Sequence, residues 1–178
     1  MEDRNPTHQT SSAMKSKITP CLWFDNEGEE AANYYIAIFP NSKITAIAYY
    51  PDTGKEQHGK DAGSVLMVSF ELDGRPFTTL NAGTTSTFSE AISLQVECET
   101  QEEIDYYWEK LTVGGDPDAQ VCGWVKDKYG VSWQIFPSVM LKFLMDPDRA
   151  KAQRAMAAMM QMKKLDIAKL KAAFAGGE

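Results

Sequence analysis

The spacing of apolar and polar positions changes several times along the chain, and each change predicts an element. The apolar run ITPCLWF (18–24) predicts a short strand, with Pro20 marking an edge or a bulge. In EGEEAANYYIAIF (27–39), Ala31, Tyr34, Tyr35, Ile38 and Phe39 recur at helical spacing. Asp25 and Asn26 stand before that helix as turn or cap residues, acids crowd its first turn, and Pro40 ends it. KITAIAYY (43–50) reads as a strand, and PDTGKEQHGKDAG (51–63), without periodicity, as a mobile loop. SVLMVSFEL (64–72) and RPFTTLNAG (75–83) are strands about the hairpin turn Asp73-Gly74, and TTSTFSE (84–90) is a polar connector.

The pattern then begins again. AISLQVEC (91–98) predicts a strand. Thr100 and Glu103 have the spacing of a capping box ahead of the amphipathic QEEIDYYWEKL (101–111). GGDPDAQ (114–120) reads as a loop. VCGWVKD (121–127) and VSWQIFP (131–137) are strands about a Lys128-Tyr129-Gly130 turn, with Asp127 as a turn residue. Even the helices share wording, since Glu29-Glu30 precedes Tyr34-Tyr35 as Glu102-Glu103 precedes Tyr106-Tyr107. The reading is an α+β fold of two similar modules, 17–85 and 88–140. A single module has too few strands to bury both faces, so the two must pair.

Two segments lie outside the repeat. Residues 1–16 are polar and read as a disordered leader with no apolar stretch of a signal peptide. Residues 141–178 read as a C-terminal helical extension of the same domain: a break at Asp146-Pro147, an Ala- and Met-rich helix over 148–165, and a second over 167–174 ended by Gly176-Gly177. Met156, Met159, Met160 and Lys163 form one stripe, expected either to pack on the domain's own sheet or, as the preferred reading, to sit at a homodimer interface.

A net charge of −7 and a pI near 4.9 argue against a general nucleic-acid binder and against docking on anionic membranes. The apolar runs fall far short of the ~20 residues that span a bilayer. Cys21, Cys98 and Cys122 are widely spaced, without a CxxC pair, as suits reduced thiols in a cytoplasmic protein.

The repeat and several specific stretches carry a resemblance. ITPCLWFDNEGEEAANYYIAIFPNSKI, LNAG, EAISLQVEC, EEIDYYWEKL, CGWVKDKYGVSWQIF and MKKLDIAKLKAAF together resemble the PhnB-like family of the vicinal-oxygen-chelate (glyoxalase/bleomycin-resistance) superfamily. That family is often labelled 3-demethylubiquinone-9 3-methyltransferase. The resemblance runs from 17 to about 175. It implies paired βαβββ modules, each half of an incomplete barrel, with a ligand site in the concave sheet and a homodimeric assembly.

The resemblance also implies a divalent metal held by His, Glu or Gln side chains, and here this sequence departs from it. The ligand positions fall at Thr19, Asn81, Ala91 and Gln134, and the only histidines are His8 and His58, in the leader and a loop. Neutral side chains of these types make a poor divalent site. The expectation is therefore no metal and no cofactor. The cup is expected to be lined by Thr19, Cys21, Trp23, Thr79, Asn81, Ser93, Gln95, Ser132 and Gln134, with Trp124 or Trp133 as a further aromatic wall. The ligand-binding set is Thr19, Cys21, Trp23, Asn81, Ser93, Gln95, Trp124 and Gln134. Glu90 is the catalytic candidate: half-buried against aromatics, its pKa would rise and suit a general base, whereas at the rim it is a simple surface charge. Cys21 as nucleophile lacks a histidine to activate it.

Three functions remain open. The first is metal-independent binding of a neutral or aromatic small molecule. The second is an enzyme, either a metal-assisted lyase or isomerase or the methyltransferase of the family label. A Rossmann-type S-adenosylmethionine site is disfavoured, because FDNEGEE after the first strand holds a single glycine. The third is a dimeric scaffold whose cup has become filled core.

Overall fold

Hydrogen bonding between separated strands builds two similar sheets, one in each half of the chain. The computed structural model describes residues 17–83 and 86–177, so the leader 1–16 lies outside the described residues. Contacts divide the chain into two compact units, Met1–Gly83 and Thr84–Glu178.

The first unit runs β1 (Cys21–Phe24), α1 (Gly28–Ile38), β2 (Lys43–Tyr49), α2 (Lys55–His58), β3 (Val65–Leu72) and β4 (Arg75–Asn81). Its sheet order is β1-β4-β3-β2, with β1 parallel to β4 and the other pairs antiparallel. β1 begins at Cys21 rather than at 18, because Pro20 offers no N–H to the ladder. Helix α1 packs on β3 and β4, joining Ala31, Ala32, Tyr35 and Ile38 to the buried strand residues Leu22, Phe24, Val68, Phe70, Leu72 and Phe77.

The turn before α1 is held differently from the expected cap. Glu27 is the N-cap, with no side-chain cap bond. Asp25 and Asn26 instead accept from Lys60, whose Nζ reaches Asp25 Oδ1 at 2.8 Å, the Asp25 carbonyl at 2.9 Å and Asn26 Oδ1 at 2.8 Å. The segment 51–63 is therefore an anchored excursion and not a free loop. Its single helical turn α2 is bracketed by Gly54 and Gly59, both left-handed at φ 89° and 71°. Tyr50 at its base donates to the Asn81 carbonyl at 2.6 Å and stacks on His58.

The first residue of α1 lies tight against β4. A Cβ on Gly28 would fall 2.6 Å from Asn81 Oδ1 and 2.7 Å from Thr79 Oγ1. Gly28→Ala is expected to cost about 1–3 kcal/mol through overpacking, despite the better helix propensity of alanine. A urea titration of the variant checks it, and an unchanged midpoint would mean that α1 can slide outward at no cost.

The second unit runs β5 (Leu94–Cys98), α3 (Gln101–Thr112), β6 (Asp116–Val121), β7 (Trp124–Lys126), β8 (Ser132–Pro137), α4 (Val139–Leu144), α5 (Arg149–Met160) and α6 (Ile167–Ala175). Its order, β5-β8-β7-β6, repeats the first, with β5 parallel to β8. The capping box forms as expected: Glu103 N–H donates to Thr100 Oγ1, and the Thr100 N–H to Glu103 Oε2. Ile104 and Leu111 of α3 are fully buried, as are Val125 and Ile135 of the β7 and β8 strands on which α3 packs. The expected loop GGDPDAQ instead supplies β6. Pro117 is tolerated there because β6 is the edge strand and its pairing with β7 is irregular.

The extension closes its own core, with Met140, Ala155, Leu165 and Leu170 buried together and Phe143 stacked on Phe174 at 4.3 Å. Helix α5 ends at Met160, short of the expected 165, because the next residues run to the β6–β7 turn. There the Met162 and Lys163 carbonyls accept from the Cys122 and Gly123 N–H groups, each at 2.8 Å. Gln101 donates to the Leu165 carbonyl and accepts from Ile167 N–H. The methionine stripe is split: Met159 packs on the helical core, while Met156 and Met160 stay exposed. Among the described residues no helix is long and apolar enough to cross a membrane.

Candidate ligand-binding faces

Each sheet has one face under its helix and one facing away from it, and register decides which residues share a face. In the first unit Cys21 pairs with Thr78 and Trp23 with Leu80, while Leu22 and Phe24 pair with Thr79 and Asn81. Partners in register point the same way. Cys21 and Trp23 therefore share the helix-free face with Thr78 and Leu80. Trp23 is 39% exposed, and its indole N–H donates to the Gly83 carbonyl at 2.6 Å. Thr19 precedes the strand and is exposed.

Asn81 and Thr79 are placed on the opposite face, beneath α1, and this corrects the expected grouping. Asn81 is buried and its amide is spent on backbone: Oδ1 accepts from Gly28 N–H at 2.8 Å, and Nδ2 donates to the Asn26 and Val65 carbonyls. It holds the β1–α1 turn in place and has no donor or acceptor turned toward Trp23.

In the second unit the expected residues do come together. Gln95 pairs with Gln134 across β5 and β8, and Gln134 pairs with Trp124 across β8 and β7. Gln134 Nε2 donates to Ser93 Oγ at 2.7 Å, and Gln95 Nε2 donates to Gln134 Oε1 at 3.4 Å. Ser132 lies on the same face, with its buried hydroxyl unpartnered among the described residues. Trp133 points the other way, into the core, where its indole N–H donates to buried Asp127 at 2.8 Å. Asp127 is the expected turn residue, and it also accepts from the Tyr129 and Val131 N–H groups.

Glu90 does not have the environment of a general base. It is exposed and paired with Lys126, which lies in register beside Ser132. That hydrogen bond and charge hold its carboxyl below the usual glutamate range, while Glu90 in turn raises Lys126. A depressed carboxyl stabilises the fold above its unfolded-state pKa and loses this as pH falls through the folded value. A raised lysine contributes below its unfolded-state pKa and loses this as pH rises through the folded value. The pair therefore holds at neutral pH and fails at both extremes. In an NMR titration, Lys126→Ala is expected to move the Glu90 midpoint upward, and an unmoved midpoint would show that the pair does not form in solution. Strand alternation from Trp124 would have placed Lys126 on this face, but nothing in the sequence pairs it with Glu90.

The donor set does not fit the divalent metal that the fold implies. Of the four expected positions, Thr19 is exposed ahead of the strand, Asn81 is spent under α1, and Ala91 has no donor side chain. Gln134 is engaged with Ser93 and Gln95. Among the described residues no three His, Cys, Asp or Glu side chains converge on a point. Cys98 is buried, and burial pushes its thiol up to about 12, far from a reactive thiolate.

This architecture can be set beside known proteins. A family model described as 3-demethylubiquinone-9 3-methyltransferase matches residues 16–136. The chain belongs to this family. A PhnB protein of the same description from Bacillus cereus is 37% identical, covering 69% of this chain and all of that one, with a TM-score of 0.59. A protein from Pseudomonas aeruginosa, 16% identical, covers 67% of this chain and 96% of its own length at a TM-score of 0.51, a likeness of fold alone. A fosfomycin resistance protein from Listeria monocytogenes is 11% identical, covering 69% of this chain and 93% of that one at a TM-score of 0.45. No curated protein matches the chain. The two-sheet α+β fold is shared with the Bacillus cereus and Pseudomonas aeruginosa structures, as the resemblance to the PhnB-like family implies. The family match ends at Phe136, so MKKLDIAKLKAAF and helices α4–α6 lie beyond it, and the resemblance is shorter than the sequence suggested.

Proposed function

We propose that this PhnB-like protein binds a neutral small molecule without a metal, and works as a cytoplasmic homodimer. The observation that carries the reading is the face of the second sheet. Ser93, Gln95, Trp124 and Gln134 meet there as a hydrogen-bonded amide group beside an indole; Glu90 and Lys126 pair with each other, and exposed Glu97 stands two residues from Gln95 on the same face. Such a lining suits hydrogen bonding and stacking better than ion pairing. In the first unit, Cys21 and Trp23 on the helix-free face, with Thr19 exposed ahead of the strand, are ligand contacts in this proposal.

The family description favours a second reading, methyl transfer. That reaction needs a bound methyl donor, and S-adenosylmethionine is the usual one. The described residues have no repeated βα order and no glycine-rich turn after β1 to hold it in the Rossmann manner.

Native mass spectrometry of protein purified without chelator or metal column separates the readings. A metal-free dimer carrying an extra organic mass is the expected result. Stoichiometric divalent metal, or saturable S-adenosylmethionine binding by calorimetry, would replace this proposal with an enzymatic one.

A further inference from the structure

The excursion 51–63 is fastened at two places. At its base, Tyr50 N–H donates to the Ser64 carbonyl at 2.8 Å and Gly63 N–H to the Tyr50 carbonyl at 2.9 Å, which pins both ends between β2 and β3. At its tip the fastening is His58. Lys60 N–H donates to His58 Nδ1 at 3.1 Å, and His58 Nε2 lies 3.3 Å from the Thr53 carbonyl. A backbone N–H can only donate and a carbonyl can only accept. Nδ1 therefore presents a lone pair and Nε2 the hydrogen, so the two contacts together select one neutral tautomer of the ring. The ring also stacks on Tyr50, with centroids 4.5 Å apart.

A proton added at Nδ1 would face the Lys60 N–H, donor against donor, and one of them must turn away. Gly59, between the two residues, is left-handed and has no atom within 4 Å of a built Cβ, so the corner has room to turn. Lys60 carries the consequence outward. Its side chain is 16% exposed and its Nζ holds both Asp25 and Asn26 of the β1–α1 turn. The titratable groups of the surrounding elements have other engagements. On α2, Lys55 pairs with Asp61 at 2.6 Å and Glu56 is exposed. Asp52 is exposed on the approach from β2, where the Tyr50 hydroxyl donates to the Asn81 carbonyl. From the β1–α1 turn, Asp25 meets Lys60 and not the ring. Imidazole is the side chain whose charge changes between about pH 5 and 8.

We propose that His58 is a proton-operated latch: protonation of Nδ1 unfastens the corner 58–60 and, through Lys60, frees the β1–α1 turn, while the base of the excursion stays pinned.

The test follows the full-length protein by ¹H–¹⁵N NMR from about pH 8 down to about pH 5. The backbone amide signals of Lys60, Asp25 and Asn26 are expected to move with the midpoint of the His58 ring signals. The heteronuclear NOE is expected to fall across residues 55–61 on the acid side, while Val68 in β3 keeps its value. His58→Phe keeps a ring for Tyr50 but has no nitrogen to protonate, and it is expected to flatten all three responses. His8→Ala is expected to leave them as in the wild type. Signals that shift while the NOE stays level would show a charge felt in place and overturn the latch. An NOE that falls at the tip with Asp25 and Asn26 unmoved overturns the link through Lys60, and so does an unchanged response of those two residues in His58→Phe. The wild-type titration decides the first point even if the variant fails to fold.

Discussion

Gly115→Ala is expected to destabilise the second unit by about 3 kcal/mol or more, the upper end of overpacking costs. A Cβ at this position would lie 2.0 Å from the Lys126 carbonyl oxygen and 3.2 Å from the Asp127 Cα. Both are backbone atoms, so no side chain can swing aside. Gly115 stands at the start of β6, whose first pair is Asp116 with Lys126, and its N–H is held by the Thr112 carbonyl at 3.1 Å. Relief requires β6 to leave β7 or the end of α3 to unwind. Differential scanning calorimetry should show the loss as a fall in Tm of roughly 12–24 °C for a unit of this size. Gly59 is the contrast. It has no atom within 4 Å of a built Cβ, but its φ is 71°, so Gly59→Ala costs only the left-handed penalty of about 1–2 kcal/mol. Equal melting of the two variants would show that the edge strand moves freely.

Asp127→Ala is the second large effect. The side chain is 2% exposed, and it accepts from Tyr129 N–H, Val131 N–H and the Trp133 indole at 2.9, 3.0 and 2.8 Å. Alanine removes all three acceptor contacts at once and leaves the indole donor buried. The expected cost is about 3–5 kcal/mol, as for breaking a buried charged network. Asp127→Asn keeps one carbonyl acceptor and is expected to recover part of it. Urea denaturation followed by far-ultraviolet circular dichroism measures both variants, and a loss below about 1 kcal/mol in the alanine variant would mean that water replaces the carboxylate freely. Because Asp127 fixes the turn that leads into β8, the variant is also expected to disturb the placement of Gln134 on that strand.

The elements and their order were legible because each rests on local information. Alternation in SVLMVSFEL, the turn at Asp73-Gly74, and the Thr100–Glu103 box all lie within a few residues, and the structure forms each of them. The duplicated Glu-Glu and Tyr-Tyr spacing carried the repeat. Faces were harder. Alternation orders residues within one strand but does not say which residue of another strand lies beside them. Gln95 and Gln134 stand in register, whereas Trp23 neighbours Leu80 and not Asn81, a shift of one residue that turns the face over. Two segments misled for opposite reasons. GGDPDAQ lacks apolar alternation because an edge strand need not bury both sides. The loop 51–63 lacks periodicity because Lys60 holds it by polar contacts to Asp25 and Asn26, which no pattern records.

The docking of residues 162–165 on the β6–β7 turn has a consequence for the order in which the protein can form during synthesis. All strand partners of the first sheet lie within residues 21–81, so they are available while the rest of the chain is still being made. The second sheet has its strands by Pro137, but its turn at Cys122 and Gly123 waits for Met162 and Lys163 to accept its N–H groups. At ~5–20 residues per second, those carbonyls follow the strands by one to several seconds. Through that interval Phe136, which later packs on the helical core, has no cover from it. A nascent chain that has emerged only to a point between Pro137 and Met162 would therefore present its second sheet unfinished to chaperones, and one that has emerged past Phe174 would not.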